Sequence, residues 1–342
     1  MSTNKINHSL KDFQTNKNNS FLFDAVFTLA IFGIMMIIIS NPTTYTNGTI
    51  EGLRLFVFAV LPGLFPFMFL VKLLTEIGFI FQITSKLDKF SYKIFGTPGV
   101  SIYAFLMSII SGYPIGAKII ADLYQKRLIT QKEAQKMSIF CTTSGPIFVI
   151  GTVGTIMFSS MTFGIVLYAS HILSSTILAI VLNAFSKKQK EPHDHKIISI
   201  QKRKNLVSFC VNETINSLFI VGAYITLFFL ISELLSQLHV FEFFTNLLTV
   251  ILSKLNISTN YLNGVLYGIV EITRGAKVLS IFSTKTAVIL TSGLISFSGI
   301  SIIMQSLTFL KEAKIKARTF IIFKCVHAIL SMILCYLLFI II

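Results

Sequence analysis

Seven apolar runs, at about 21–40, 53–76, 136–158, 160–185, 209–236, 285–310 and 319–342, each approach or exceed the roughly 20 residues a helix needs to cross the hydrocarbon core of a bilayer. A chain written this way has few folds open to it. In lipid every backbone N–H and C=O must be bonded internally, which favours helices. Composition agrees: of 342 residues 54% are hydrophobic and 13% charged, and mean hydropathy is +0.78, whereas soluble domains are roughly 45–50% apolar. The sequence therefore predicts an all-α polytopic membrane protein with seven spans. The first run is too long for a signal h-region and lacks a small-residue cleavage site, so it reads as a retained helix. Cys141, Cys210, Cys325 and Cys335 all fall in apolar runs and read as reduced core residues.

A net charge of +15 invites a nucleic-acid partner, but its distribution is that of a membrane protein, with basic residues in the loops on the cytoplasmic side. With a cytoplasmic amino terminus, the loop at 41–52 carries no lysine and only the segment around Lys86, Lys89 and Lys93 returns inside. Two short apolar pieces follow, at about 99–110 and 115–124. Each is about 11 residues, or about 17 Å as a helix, little more than half the hydrocarbon thickness. If they form a re-entrant hairpin, the loops with Lys126, Arg127, Lys132 and Lys136, with Lys187 to Lys204, and with Lys311 to Arg318 all fall inside, which puts 21 of the 29 Lys and Arg on one side. A complete crossing would place four of them outside, so the re-entrant topology is preferred.

The second half then repeats the first. "SIISGYPIGAK" (108–118) aligns with "YGIVEITRGAK" (267–277), and "TTSGPIFVIGTV" (142–153) with "SFSGISIIMQSL" (296–307). Each half has a long span, an interfacial stretch (82–97 or 240–256), a broken short segment, a span broken near its middle and an unbroken final span. An odd number of crossings per half puts the halves in opposite orientations, the plan of inverted-repeat transporters whose discontinuous helices meet at the substrate site. Chance matches of small residues that serve helix packing are the competing explanation. The expected organisation is a cytoplasmic tail 1–20, a first helix 21–40, a first repeat 53–185, a basic cytoplasmic loop 186–208 and a second repeat 209–342.

Broken helices in lipid are tolerated where the freed backbone lines a polar cavity. Pro114 forces the first break, and Gly112 and Gly116 permit close backbone approach. The helix resuming near Gly116 offers free N–H groups to an anion, and Lys118 adds a charge. The matching tip holds Glu271, Thr273, Arg274, Gly275 and Lys277. The candidate substrate site is completed by Ser111 and Tyr113 at the first tip and by the mid-span breaks, Thr142, Thr143, Ser144 and Gly145 in one half and Ser298 and Gly299 in the other. Ionisable groups inside a membrane usually mark function. Snorkelling of Lys118 and Lys277 to an interface and a structural Arg274–Glu271 pair are the rival readings.

The stretch "SGYPIGAKIIADLYQKRLITQKEAQKMSIFCTTSGPIFVIGTVG", with "LPGLFPFMFL" (61–70) and "GIVEITRGAK" (268–277), resembles the YlbJ-type sporulation integral membrane proteins, which carry nucleoside-recognition (Gate) domains. The resemblance covers about residues 50–340. It implies a fold similar to the core of concentrative nucleoside transporters and a bacterial cell-membrane or outer forespore-membrane location. It also implies a role in moving dipicolinate during spore formation. Thr142 and Thr143 depart from it, since asparagine is expected there in many relatives, though both keep hydrogen-bonding side chains.

Other chemistry finds little support. "GYPIGAK" lacks the spacing of a phosphate-binding loop, His193, Asp194 and His195 read as a solvated loop rather than a metal site, and His171 reads as a lone packing residue. No nucleophile and base are spaced for hydrolysis, so no enzyme activity and no cofactor are expected. The reading is a secondary carrier for a small anionic metabolite in the lipid bilayer, with a nucleoside or other small-metabolite carrier and a non-transporting scaffold or gating subunit as alternatives. No nucleic-acid partner is expected, and homo-oligomerisation is left open.

Overall fold

The computed structural model describes residues 24–185, 204–253 and 259–341. The tail 1–20, most of the basic loop 186–208 with His193, Asp194 and His195, and the end of the interfacial stretch 240–256 lie outside them. The chain divides into two compact units, Met1–Thr49 and Ile50–Ile342. In the first, the described part of the run 21–40 is a helix, Asp24–Ser40 (α1).

The described residues of the second unit are helices and connections without a strand. The 36-residue helix Pro42–Ile77 (α2) includes a π-type stretch at Phe56–Val60. It is followed by Phe79–Ser85 (α3), Asp88–Ile94 (α4), Val100–Ser111 (α5), Ile115–Gln125 (α6) and Gln131–Phe140 (α7). The π-helical Ile147–Met157 (α8) and Met161–Ala184 (α9) complete the first half. The second half is Leu206–Gln237 (α10), Val240–Ser253 (α11), Leu262–Val270 (α12), Ile272–Ser280 (α13), Lys285–Phe297 (α14), Gly299–Leu310 (α15) and Ala317–Ile341 (α16).

Five helical stretches are long and apolar enough to cross a bilayer: Pro42–Ile77, Met161–Ala184, Leu206–Gln237, Lys285–Ala313 and Ala317–Ile341. Seven were expected. The run 136–158 looks continuous by hydropathy, yet it is divided into α7, a non-helical stretch at Cys141–Gly145, and α8. Gly145 and Pro146 explain this, since the residue before a proline is pushed out of the helical region. The run 21–40, represented by α1, is the other that falls outside the five. Their burial ranks them: 67% of the most apolar window of Lys285–Ala313 is buried, against 22% for Ala317–Ile341. Side chains such as Ile156, Phe219 and Ile341 point outward from the bundle, as a lipid-facing surface requires.

The order long helix, short helices, hairpin, broken helix, long helix occurs once in each half. Packing between halves also comes in matched pairs. The first long helices α2 and α10 pack together, as do the last, α9 and α16. The second arm of each hairpin packs on the second part of the other half's broken helix, α6 on α15 and α13 on α8. The two largest cores follow this crossing. One gathers Tyr103, Ile119, Leu123 and Phe140 with Ile303 and Phe309; the other gathers Val149 and Val153 with Ile272, Leu279 and Leu294. Local signals set the helix ends: Thr130 and Glu133 form a capping box at the start of α7, and Ser160 and Thr284 cap α9 and α14, each satisfying N–H groups a helix start leaves open.

Candidate functional site

The helices α5 and α6 fold back on one another across Gly112–Pro114, and α12 and α13 do so across Glu271. Both hairpin tips reach the breaks of their own half's divided helices. At Gly116 an added Cβ would lie 1.7 Å from the carbonyl oxygen of Cys141 and 2.8 Å from Ser108 Oγ, so only glycine lets α6 lie against the first break. That contact is reinforced by Ser108, whose Oγ accepts the Thr143 N–H at 2.9 Å and meets Thr143 Oγ1 at 2.9 Å. At Gly112 an added Cβ would lie 2.5 Å from the Gly145 nitrogen. In the second half Gly275 of α13 packs directly on Gly268 of α12, and Gly299 lies beside the Gly268 carbonyl and the Ile272 N–H.

These contacts enclose a cavity of about 130 Å³. Its polar wall is Ser111, Gly112 and Tyr113 from the first tip, Ser144 and Gly145 from the first break, and Glu271 and Thr273 from the second tip. Thr152 of α8 and Ser301 and Gln305 of α15 add to it, and the apolar wall comes from α2, α8, α10 and α15. Seven of the residues expected at the site thus line one cavity. Five others stand just behind them. Pro114 caps α6, Thr142 bonds back to Ser138, Thr143 bonds Ser108, and Ser298 and Gly299 form a left-handed break with Ser298 buried. Gly116 and Gly275 shape the hairpins without touching the cavity.

The three cations expected to serve an anion stand elsewhere. Lys118 lies 3.6 Å from Asp122 and 3.5 Å from Glu213, in a buried cluster completed by Lys72, Glu76 and Lys126 that ties α6 to α2 and α10. Arg274 bonds Glu233 of α10 at 2.8 Å, its guanidinium lying over the rings of Phe229 and Tyr267. Lys277 is exposed. Glu271 accepts the Arg274 backbone N–H at 2.9 Å, so its carboxylate caps α13, where the helix N-terminus favours negative charge. The Arg274 side chain is held by Glu233, which the rival pairing with Glu271 did not anticipate.

Sequence reasoning missed a buried cation that bonds a residue of the cavity wall. Lys324, in the middle of α16, is 1% exposed; its Nζ donates to Tyr113 Oη at 2.8 Å and to the Thr142 carbonyl at 2.7 Å. Three residues on, His327 stacks on His171 with ring centroids 4.9 Å apart. His171 is more than packing: its Nε2 accepts the Ser144 N–H at 2.9 Å and its Nδ1 meets Ser296 Oγ at 2.8 Å, linking the first break to the end of α14. The signal was present as "FKCVH", a lysine and a histidine at i and i+3 inside an apolar span, which share one helix face. Among the described residues no group of three or more His, Cys, Asp or Glu could hold a metal.

The chain is 26% identical over 313 residues to the sporulation integral membrane protein YlbJ of Bacillus subtilis (strain 168), a match covering 85% of this chain and 77% of that protein. No family model matches the chain, and no solved structure matches it significantly. The YlbJ-type resemblance read from the motifs thus extends along most of the sequence, without separate support for Gate domains. With its apolar helices, the chain is a multi-pass integral membrane protein related to YlbJ.

Proposed function

We propose that the chain is a carrier, not an enzyme, and that a small metabolite crosses the membrane through the cavity between the two hairpin tips. The observation that carries this is that the hairpin tips of both halves and the first break converge on one cavity with mixed walls, since broken helices are tolerated in lipid where they line such a space. A cavity of roughly 150 Å³ holds one benzene, so about 130 Å³ suits a molecule the size of a single ring. The hairpins are re-entrant in this reading and the halves are inverted repeats, which the recurring element order and the matched packing between halves support. The name of the relative, a sporulation integral membrane protein, supports a role in spore formation.

Uptake of labelled uridine and pyridine-2,6-dicarboxylate by proteoliposomes tests this. The chain has no tryptophan, so Phe148→Trp, at the cavity wall, introduces the single one. Its emission should change as either solute is taken up, and filling the space with Thr152→Trp should cut uptake at least about tenfold while the protein stays monodisperse, a loss of about 1.4 kcal/mol or more. Uptake no greater than that of empty vesicles for both solutes, with no emission change, overturns the carrier reading.

The orientation is tested apart from transport. Positive charge favours the cytoplasm, so cysteines placed at Lys132 and Lys204 in a cysteine-free background should be labelled by an impermeant maleimide from the cytoplasmic side alone. Labelling of the two from opposite sides would remove the re-entrant first hairpin and with it the inverted repeat.

A further inference from the structure

We propose that Lys324 is the proton-binding site of this carrier, and that a proton on its amine and a carboxylate in the cavity are taken up together. This rests on the carrier reading above, with the small anion as its substrate, and adds to it a coupling ion. Lys72, Lys118, Lys126 and Arg274 each have a carboxylate within 4 Å, but Lys324, the most buried of these cations, has none among the described residues. Its Nζ is held by one hydroxyl and one carbonyl and lies 4.6 Å from the Tyr113 ring centroid. Those contacts satisfy two of the three donors of an ammonium, and they supply no negative charge.

A buried charge needs a partner, and the nearest place for one to arrive is the cavity, because Tyr113 both lines it and touches Nζ. A small carboxylate there stabilises the ammonium, and the ammonium stabilises the carboxylate to the same degree, since coupling between two sites is reciprocal. When the carboxylate leaves, the amine releases the proton from its lone pair and the cavity returns to its empty state. Glu271, also in the cavity wall, does not take this part: its carboxylate already caps α13.

The surroundings of Lys324 fit a proton site. His171 of α9 accepts the Ser144 backbone N–H at Nε2, so its hydrogen sits on Nδ1 and goes to Ser296 Oγ; taking a second proton would break the bond to the first break. His327 meets the His171 carbonyl through Nε2 at 3.1 Å, which makes Nε2 the donor and leaves Nδ1 a buried lone pair without a partner. That nitrogen can share the proton from the same helix face. Of the other elements packed on α16, α14 presents the Ser296 hydroxyl and its Lys285 bonds the Phe339 carbonyl. On α7, Glu133 is engaged by Tyr92 and Thr130, Lys132 is exposed, and Lys136 reaches Gly96. No carboxylate among the described residues competes for the role.

The test follows proton movement with a pH-sensitive dye inside proteoliposomes when pyridine-2,6-dicarboxylate, benzoate or uridine is added outside. Wild type should acidify the interior faster than protein-free vesicles do with the carboxylates, and not with uridine. Lys324→Met should bind the carboxylates at least about tenfold more weakly, within the 5- to 150-fold usual for coupled sites, as read by the Phe148→Trp emission. Lys324→Arg, which keeps a permanent charge, should retain carboxylate binding and lose the proton signal. No uptake of any solute by wild type would defeat the carrier reading itself. Carboxylate uptake without acidification, or a Lys324→Met variant with wild-type affinity and proton signal, would overturn the proton site alone.

Discussion

Replacing Asp122 by asparagine is expected to destabilise the protein by about 3 to 5 kcal/mol, the cost of removing one partner from a buried charge pair. Asp122, in the middle of α6, is 2.8 Å from Lys72 and 3.6 Å from Lys118. Glu76 reaches Lys72 at 3.3 Å and Lys126 at 3.1 Å, and Glu213 reaches Lys118 at 3.5 Å. Three ammoniums and three carboxylates balance, and the set joins the first hairpin to α2 and α10, with Asp122, Lys72 and Glu76 buried and Lys118, Lys126 and Glu213 half-buried. Without Asp122, three cations share two carboxylates. Heat-induced loss of monodisperse protein in detergent measures the effect. Lys118→Met added to Asp122→Asn restores the charge balance, so the double variant should be more stable than Asp122→Asn alone. A single variant within about 0.5 kcal/mol of wild type, the scatter of ordinary surface substitutions, would show that the cluster does not hold the hairpin.

The same cluster shows what the sequence could and could not reveal. Glycines, a proline and hydroxyls inside apolar runs marked both tips and both breaks, because such residues in lipid must answer to a special backbone, and six of them do line one cavity. The cations were visible too, but not their partners. Two pairs at i and i+4, Lys72 with Glu76 and Lys118 with Asp122, can be read along a helix. Glu213 lies 95 residues from Lys118 and Glu233 lies 41 from Arg274, and nothing local says that α10 presents an acid to each hairpin. For Lys324 the distances are longer still, with Tyr113 at 211 residues and Thr142 at 182. Hydropathy counted a seventh span through 136–158, since a window average passes over a five-residue break that the proline rule alone detects. Charge was thus legible in amount, and in position only where one helix carried both partners.

Adding one methyl group at Gly116 is expected to cost more than the 1–3 kcal/mol usual for overpacking, and to open the cavity. The Cβ of Gly116→Ala would fall 1.7 Å from the Cys141 carbonyl oxygen, and neither side of that contact is a flexible side chain. Relief requires α6 to move off the first break. That movement would strain the Ser108 bonds to Thr143 and, through the same segment, the Ser144 N–H bond to His171. Gly151→Ala is the matched control: nothing lies within 4 Å of its added Cβ, and alanine in a helix gains roughly 0.5–1 kcal/mol over glycine. In the detergent assay the two variants should therefore move in opposite directions. Similar melting for both would mean that the hairpin shifts freely against the break. A freely shifting hairpin could not hold Tyr113 between the cavity and Lys324, so the coupling proposed for that lysine depends on the glycine contact as much as on its own charge.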